Sequence, residues 1–181
     1  PSDYFNTKIY TGTKPNTQTI TTGSFQPDWT WFKSRFQTEA NMLFDSVRGA
    51  GKLLASNNTN GQGTNTGYQS AWTSTGVTVG NSAETNGVGN MVCWNWKAGT
   101  TSGIATNGDT DITPSAYSIS QTSGFSIVKY TGIGGQPKAI AHGLGVKPKM
   151  FIIKRTNTSG SWGVLPQQFS TGHLYLDATT A

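Results

Sequence analysis

Charge is scarce in this chain. Only 12% of its 181 residues are Asp, Glu, Lys or Arg, about half the usual share of roughly 25%. Hydroxyl and amide side chains must therefore hold the solvent, as is common on extracellular and particle-surface β proteins. The single cysteine, Cys93, excludes an intrachain disulfide; between Val92 and Trp94 in a strand it reads as a small buried hydrophobe, not a reactive thiol. His142 and His173 are the only imidazoles, and a zinc shell around them would need carboxylates that the chain barely has. Asp109 and Asp111 stand two apart in a loop, but the glycine is misplaced for a calcium loop and no later Glu follows. No metal and no cofactor are expected. No apolar run approaches the roughly 18 residues needed to cross a bilayer, and no charged segment followed by an apolar one opens the chain, so no membrane insertion is expected.

Catalytic arrangements are equally thin. The sequence has no nucleophile elbow, and Ser46 beside Asp45 has no nearby histidine to complete a triad. The eight acidic residues show no pair that the sequence places across one cleft, as glycoside cleavage requires. The run GAGKL at 49–53 resembles a phosphate loop, yet Ser46 stands where the first glycine should be and Leu53 replaces the hydroxyl that holds magnesium. The sequons at Asn57 and Asn157 arise by chance in a chain this rich in Asn, Thr and Ser. A non-enzyme is expected, with a glycan depolymerase as the rival from another class. The net charge of +5 raises the question of nucleic acid, but the 13 basic residues are spread from Lys8 to Arg155. Their densest group, Lys147, Lys149, Lys154 and Arg155, would straddle both faces of a strand, which fits a solvated edge better than a phosphate track.

What is present is concentrated between Phe25 and Ala55. After Pro27, which cannot sit inside a central strand, Trp29, Trp31 and Lys33 alternate with Thr30, Phe32 and Ser34, a period of two that predicts a strand over Asp28 to Arg35. Leu43, Val47, Ala50 and Leu54 also fit helical spacing, but two glycines, Gly49 and Gly51, would cost a helix roughly 2 kcal/mol and suit a turn between two strands. Asp45 and Arg48 flank that turn, where the carboxylate can fix it by accepting from backbone amides or the guanidinium. Met91 to Lys97 reads as a strand with Met91, Cys93 and Asn95 on one face and Val92, Trp94 and Trp96 on the other. Alternation and bulk favour burial of Trp29, Trp31, Trp94 and Trp96.

The chain also echoes itself. VKPKMFIIK at 146–154 aligns with FQPDWTWFK at 25–33, Pro148 falling on Pro27 and Lys154 on Lys33, an offset of 121. Upstream the offset is 120, with Tyr130-Thr131-Gly132 on Tyr10-Thr11-Gly12, Ile140 on Ile20 and Phe125 on Phe5. A period this long implies two small domains, or a domain and part of another: a first repeat over 1–123 and a second, incomplete one over 124–181. Pro1 in place of Met, and an end at Ala181 before any counterpart of Trp94 and Trp96, fit a chain cut from a longer product. The fold expected is all-β, an antiparallel β-sandwich of jelly-roll or lectin-like type.

These blocks carry a resemblance. GSFQPDWTWFKSR from Gly23, LFDSVRGAGK from Leu43, MVCWNWKAG from Met91 and GFSIVKYTG from Gly124 together resemble a domain recurrent in virion structural proteins of tailed phages of marine bacteria. The resemblance covers essentially the whole chain and departs at Trp29 and Asn95. It implies a tail-fibre or tail-tip component contributing to host-surface binding, or alternatively a capsid decoration or head-fibre protein. It further implies other virion proteins as partners, a homo-oligomer with a trimer first, and residence on the extracellular particle. It brings no catalytic residues.

Recognition is expected where the chain stops placing apolar residues. The segments 56–70, 81–90 and 99–114 are nearly free of large apolar side chains and rich in amides and hydroxyls, so they read as exposed loops. Amide-rich loops beside an exposed aromatic suit sugar rings and hydroxyls. Trp72 with Asn65, Tyr68 and Asn86 is the expected contact surface for a glycan or protein, while the turn of Asp45, Arg48, Gly49 and Gly51 supports the fold.

Overall fold

Short strands separated by Gly-, Asn- and Thr-rich turns build the molecule. The computed structural model of the chain describes residues 2–135, 137–168 and 172–178. In order, these form β1 (Phe5–Gly12), β2 (Gln18–Thr21), β3 (Trp29–Ser34), β4 (Met42–Asp45), β5 (Lys52–Ala55), β6 (Gly63–Thr64), β7 (Gln69–Thr73), β8 (Gly76–Val79), the single helical turn α1 (Ala83–Asn86), and β9 (Gly89–Trp96). The remainder contributes β10 (Ala116–Ser120), β11 (Phe125–Lys129), β12 (Met150–Ile153), β13 (Gly163–Pro166) and β14 (Leu174–Tyr175). The protein is all-β with several antiparallel sheets. A six-stranded sheet has the order β1-β9-β3-β4-β5-β6, a three-stranded one β2-β8-β7, another β12-β13-β14, and β10 pairs with β11. Pro1 and Ala181, on which the expectation of a longer product rests, lie outside the described residues.

The glycine pair settles the helix-or-hairpin question in the central stretch. Gly49 and Gly51 have φ of +93° and +71°, values that residues with a Cβ rarely adopt, and between them the chain turns from β4 into β5.

Register decides what the six-stranded sheet buries. β3 pairs with β9 so that Phe32 faces Cys93 and Thr30 faces Asn95, while Trp31 faces Trp94 and Trp29 faces Trp96. Side chains alternate across a strand, so the four tryptophans share one face and Thr30, Phe32, Cys93 and Asn95 share the other. The second face is the buried one. Phe32, Met42, Phe44, Ala55 and Cys93 form one cluster with Ile20, Val77 and Val79 of the β2-β8-β7 sheet. The expectation that the tryptophans fill this core is corrected: all four are half-buried on the opposite face. Thr30 and Asn95 are tolerated in the interior because they satisfy each other, Thr30 Oγ1 donating to Asn95 Oδ1 at 3.1 Å, which spares them the cost of unpaired burial.

The expected loop over 56–70 is also corrected. It holds β6 and the start of β7, and Ser56 and Gln69 are buried. Its backbone seats the C-terminal part: the Gln62 N–H donates to the Thr156 carbonyl at 2.7 Å and the Gly160 N–H to the Thr59 carbonyl at 2.8 Å. Trp162 joins Leu43 and Leu54 in a second apolar cluster, and its indole donates to the Ala55 carbonyl at 2.9 Å. Over 98–124 one strand forms, β10, with Ile112 held to Ile140 by an isolated bridge.

The β12-β13 hairpin repeats the pairing of β3 with β4. Met150 faces Pro166 and Ile153 faces Gly163, positions 121 residues on from Trp29 facing Asp45 and Phe32 facing Met42. The Gln167 N–H donates to the Lys149 carbonyl at 2.7 Å where the Ser46 N–H donates to the Asp28 carbonyl at 2.8 Å. The next pairing slips by one residue, Val164 facing Leu174 where Leu43 faces Leu54.

Candidate ligand-binding surface

Two of the four residues expected at a contact surface are drawn together. Asn65 lies exposed in the turn after β6, where its Oδ1 accepts from the Gly67 N–H at 2.8 Å and its carbonyl from the Tyr68 N–H at 3.3 Å. Tyr68 is half-buried against the core cluster, and its hydroxyl donates to Glu84 Oε1 at 3.2 Å. Burial, with the Glu84 charge beside it, raises the Tyr68 phenol above its ordinary pKa. Ser82 also donates to Glu84, and Thr85 Oγ1 to the Tyr68 carbonyl at 2.7 Å. The turn after β6 and the α1 segment thus form one polar cluster rather than two independent loops.

Trp72 and Asn86 are placed differently. Trp72, in β7, packs half-buried against the core, and its buried indole nitrogen has no hydrogen-bond partner among the described residues. Asn86 is fully buried. Its Oδ1 accepts from the Thr13 N–H at 2.9 Å and from Gln18 Nε2 at 2.6 Å, and its Nδ2 donates to the Asn16 carbonyl at 2.7 Å and the Gly80 carbonyl at 2.6 Å. With both ends of the amide committed inward, Asn86 offers a ligand nothing; it locks α1 to the turn before β2.

The turn residues make a closed set of contacts. Asp45 accepts from the Arg48 N–H at 2.7 Å and from Arg48 Nε, in a pair that is itself buried. The guanidinium goes on to the Leu43 carbonyl at 3.3 Å and Gln62 Oε1 at 3.4 Å, so one side chain ties the turn to both β4 and the segment before β6.

A different surface combines ring faces with polar groups, and the sequence reading misses it. On the outer face of the six-stranded sheet the rings of Phe5, Trp96 and Trp29 follow one another at 4.9 and 4.6 Å between centroids. Phe125, from β11, lies nearly parallel to Trp29 and Trp96 at 5.8 and 6.3 Å, and Trp31 meets Trp94 edge-on. At one end of this row a cleft of about 380 Å³ is lined by Tyr4, Phe5, Trp96, Thr122, Ser123 and Phe125. A second, of about 510 Å³, includes Asp28, Ser46, Lys97, Thr101 and Tyr117 in its wall. Lys97 of the second has its ammonium 5.8 Å from the ring of Tyr4 of the first. The signal was present in the sequence: tryptophans at alternate positions in two strands must share faces, but their bulk favoured the wrong side of the sheet.

Asp28, the carboxylate at the second cleft, accepts from Ser46 Oγ at 2.6 Å, Ser118 Oγ at 3.0 Å and the Ala98 N–H at 2.8 Å, which joins β3, the β4 turn, the end of β9 and β10. Asp111 is held by Lys138 and the Ala139 N–H, and the latter chiefly draws its carboxyl below the usual range. Among the described residues no group of three His, Cys, Asp or Glu side chains could hold a metal ion, and no helix is long and apolar enough to cross a membrane.

No curated protein and no solved structure matches the chain. A family model does match, over residues 1–181. The chain belongs to that family, described as a domain of unknown function, DUF7483.

Proposed function

We propose that this chain is a non-enzymatic structural component of a phage particle, in a tail-fibre or tail-tip position, and that it holds host-surface glycan on its aromatic cleft. The particle, its extracellular exposure, the neighbouring virion proteins and a trimeric assembly rest on the sequence resemblance. The observation that carries the glycan reading is the row of half-exposed rings, Phe5, Trp96 and Trp29 with Phe125, ending beside Thr122 and Ser123. A sugar presents an apolar C–H face and a rim of hydroxyls. Rings held rigidly on a sheet take the first, and neighbouring side-chain hydroxyls take the second. The cluster of Asn65 and Tyr68 is a further polar surface that a longer glycan or a protein could meet.

The finer fold belongs to the same reading: a β-sandwich, jelly-roll or lectin-like, repeated within the chain over 1–123 and again, incompletely, over 124–181. A core cluster shared by the six-stranded and β2-β8-β7 sheets supports the sandwich. The common register of β3 with β4 and β12 with β13 supports the repeat.

Binding to bacterial cells and to their extracted surface polysaccharides tests the function. Phe5→Ala and Tyr4→Ala should each weaken retention about tenfold while the melting temperature holds, because both residues reach solvent at the cleft. Equal retention by wild type and both variants would place the contact elsewhere, and release of new reducing ends from the polysaccharide would overturn the non-enzymatic reading.

A further inference from the structure

Four consecutive apolar side chains stand in solvent on β12. Met150, Phe151, Ile152 and Ile153 are 55%, 39%, 36% and 44% exposed, although a strand normally hides at least one of its two faces. Their counterparts 121 residues earlier, Trp29 to Phe32, are half-buried or buried. The difference lies in what surrounds them. β3 has β4 on one side and β9 on the other, whereas among the described residues β12 ends its sheet with β13 alone.

The hydrogen-bonding state of that free edge follows from the ladder. In an antiparallel pair, residues alternate between those bonded to the partner strand and those whose N–H and C=O point away. Lys149 bonds toward β13 through Gln167, so Phe151 and Ile153 do likewise and Met150 and Ile152 turn their backbone groups outward. By the same count Asp28 bonds to Ser46, and Trp29 and Trp31 are the residues facing Trp96 and Trp94 of β9.

We infer that the open edge of β12 is a docking site for an extended segment of the β9 kind, alternating bulky apolar and small or polar residues, that adds antiparallel to it through Met150 and Ile152. β-Strand addition of this sort draws affinity from main-chain bonds and selectivity from alternate side chains. A second copy of the chain is a poor occupant. Antiparallel pairing of β12 with β12 would set Lys147 and Lys149 of one copy against Lys154 and Arg155 of the next, and like charges across a pair repel. An uncharged segment meets no such opposition.

The inference rests on the repeat reading, and the two can fail separately. A crystal structure with β12 and β13 in another register removes the repeat, whereas the same register in a protein that does not take up the probe below removes the inference alone. The probe is a synthetic peptide with the sequence of residues 89–96 carrying Cys93→Ser, titrated into the whole protein, with a scrambled peptide as control. Saturable binding should be seen for the β9 sequence only. It should weaken at least tenfold in Ile152→Pro, which removes an N–H that the β13 ladder does not use and so keeps the hairpin. Ile152→Lys, which keeps that N–H but adds a charge to the strand, should weaken it too and guards against misfolding of the proline variant. Absent binding, or binding equal in wild type and Ile152→Pro, overturns the proposal. So does a wild-type dimer in light scattering that Ile152→Pro dissolves, because a second copy would then fill the edge.

Discussion

Asn86 and Cys93 are both wholly enclosed, and burial gives each a measurable signature. Replacing Asn86 with alanine leaves the buried Gly80 carbonyl without this donor and takes one partner each from the Thr13 N–H, Gln18 Nε2 and the Asn16 carbonyl, of which the last two keep Thr11 and Thr13. Each unpaired buried group costs about 1–3 kcal/mol. Asn86→Ala should therefore lower stability by about 1–3 kcal/mol in a denaturant titration, and leave ligand affinity unchanged where the protein is still folded. Cys93 makes a pH prediction. Burial first, against weaker opposing contacts from Asn95 and Lys8, pushes its thiol up to about 11 from an ordinary 9.0. The unfolded chain thus ionises at lower pH than the folded one. Stability from this group is complete below pH 9 and drains away as pH rises toward 11, by about 2 kcal/mol. The melting temperature of wild type should fall more over that interval than that of Cys93→Ala; parallel curves would mean that the thiol is solvated.

At the scale of elements, period-two patterning located β3 and β9, and the glycine pair correctly chose a hairpin over a helix. Alternation alone left open which face is inside. Phe32 and Cys93 lie inward with Thr30 and Asn95 because the β2-β8-β7 sheet covers that side, and no local pattern encodes where a distant sheet docks. Phe32→Ala should accordingly cost about 3–5 kcal/mol and Trp31→Ala distinctly less, as read from chemical denaturation midpoints; the reverse order would turn the sheet over. Segment 56–70 shows the same limit. Its Asn, Thr and Gly residues have little to bury, but backbone groups at Thr59 and Gln62 hold residues 154–160, and any sequence can supply those groups.

Across the whole molecule, the earlier and later parts of the chain lean on each other. Trp162 and Phe125 of the later residues cover Leu43, Leu54, Trp29 and Trp96 of the earlier ones, so the outer face of the main sheet is part core and part platform. That dual character explains why the candidate site was only partly legible. Its ring-bearing strands could be read from spacing, whereas the cleft that Thr122, Ser123 and Phe125 complete depends on how β11 returns to the sheet. Trp96 lines that cleft and Trp29 packs against it, so stacking of a ligand there alters the tryptophan emission. Tryptophan fluorescence during titration with surface polysaccharide should shift saturably in wild type and much less in Phe5→Ala, with no new reducing ends. Unshifted emission from protein that nonetheless retains the polysaccharide would contradict glycan stacking on these rings.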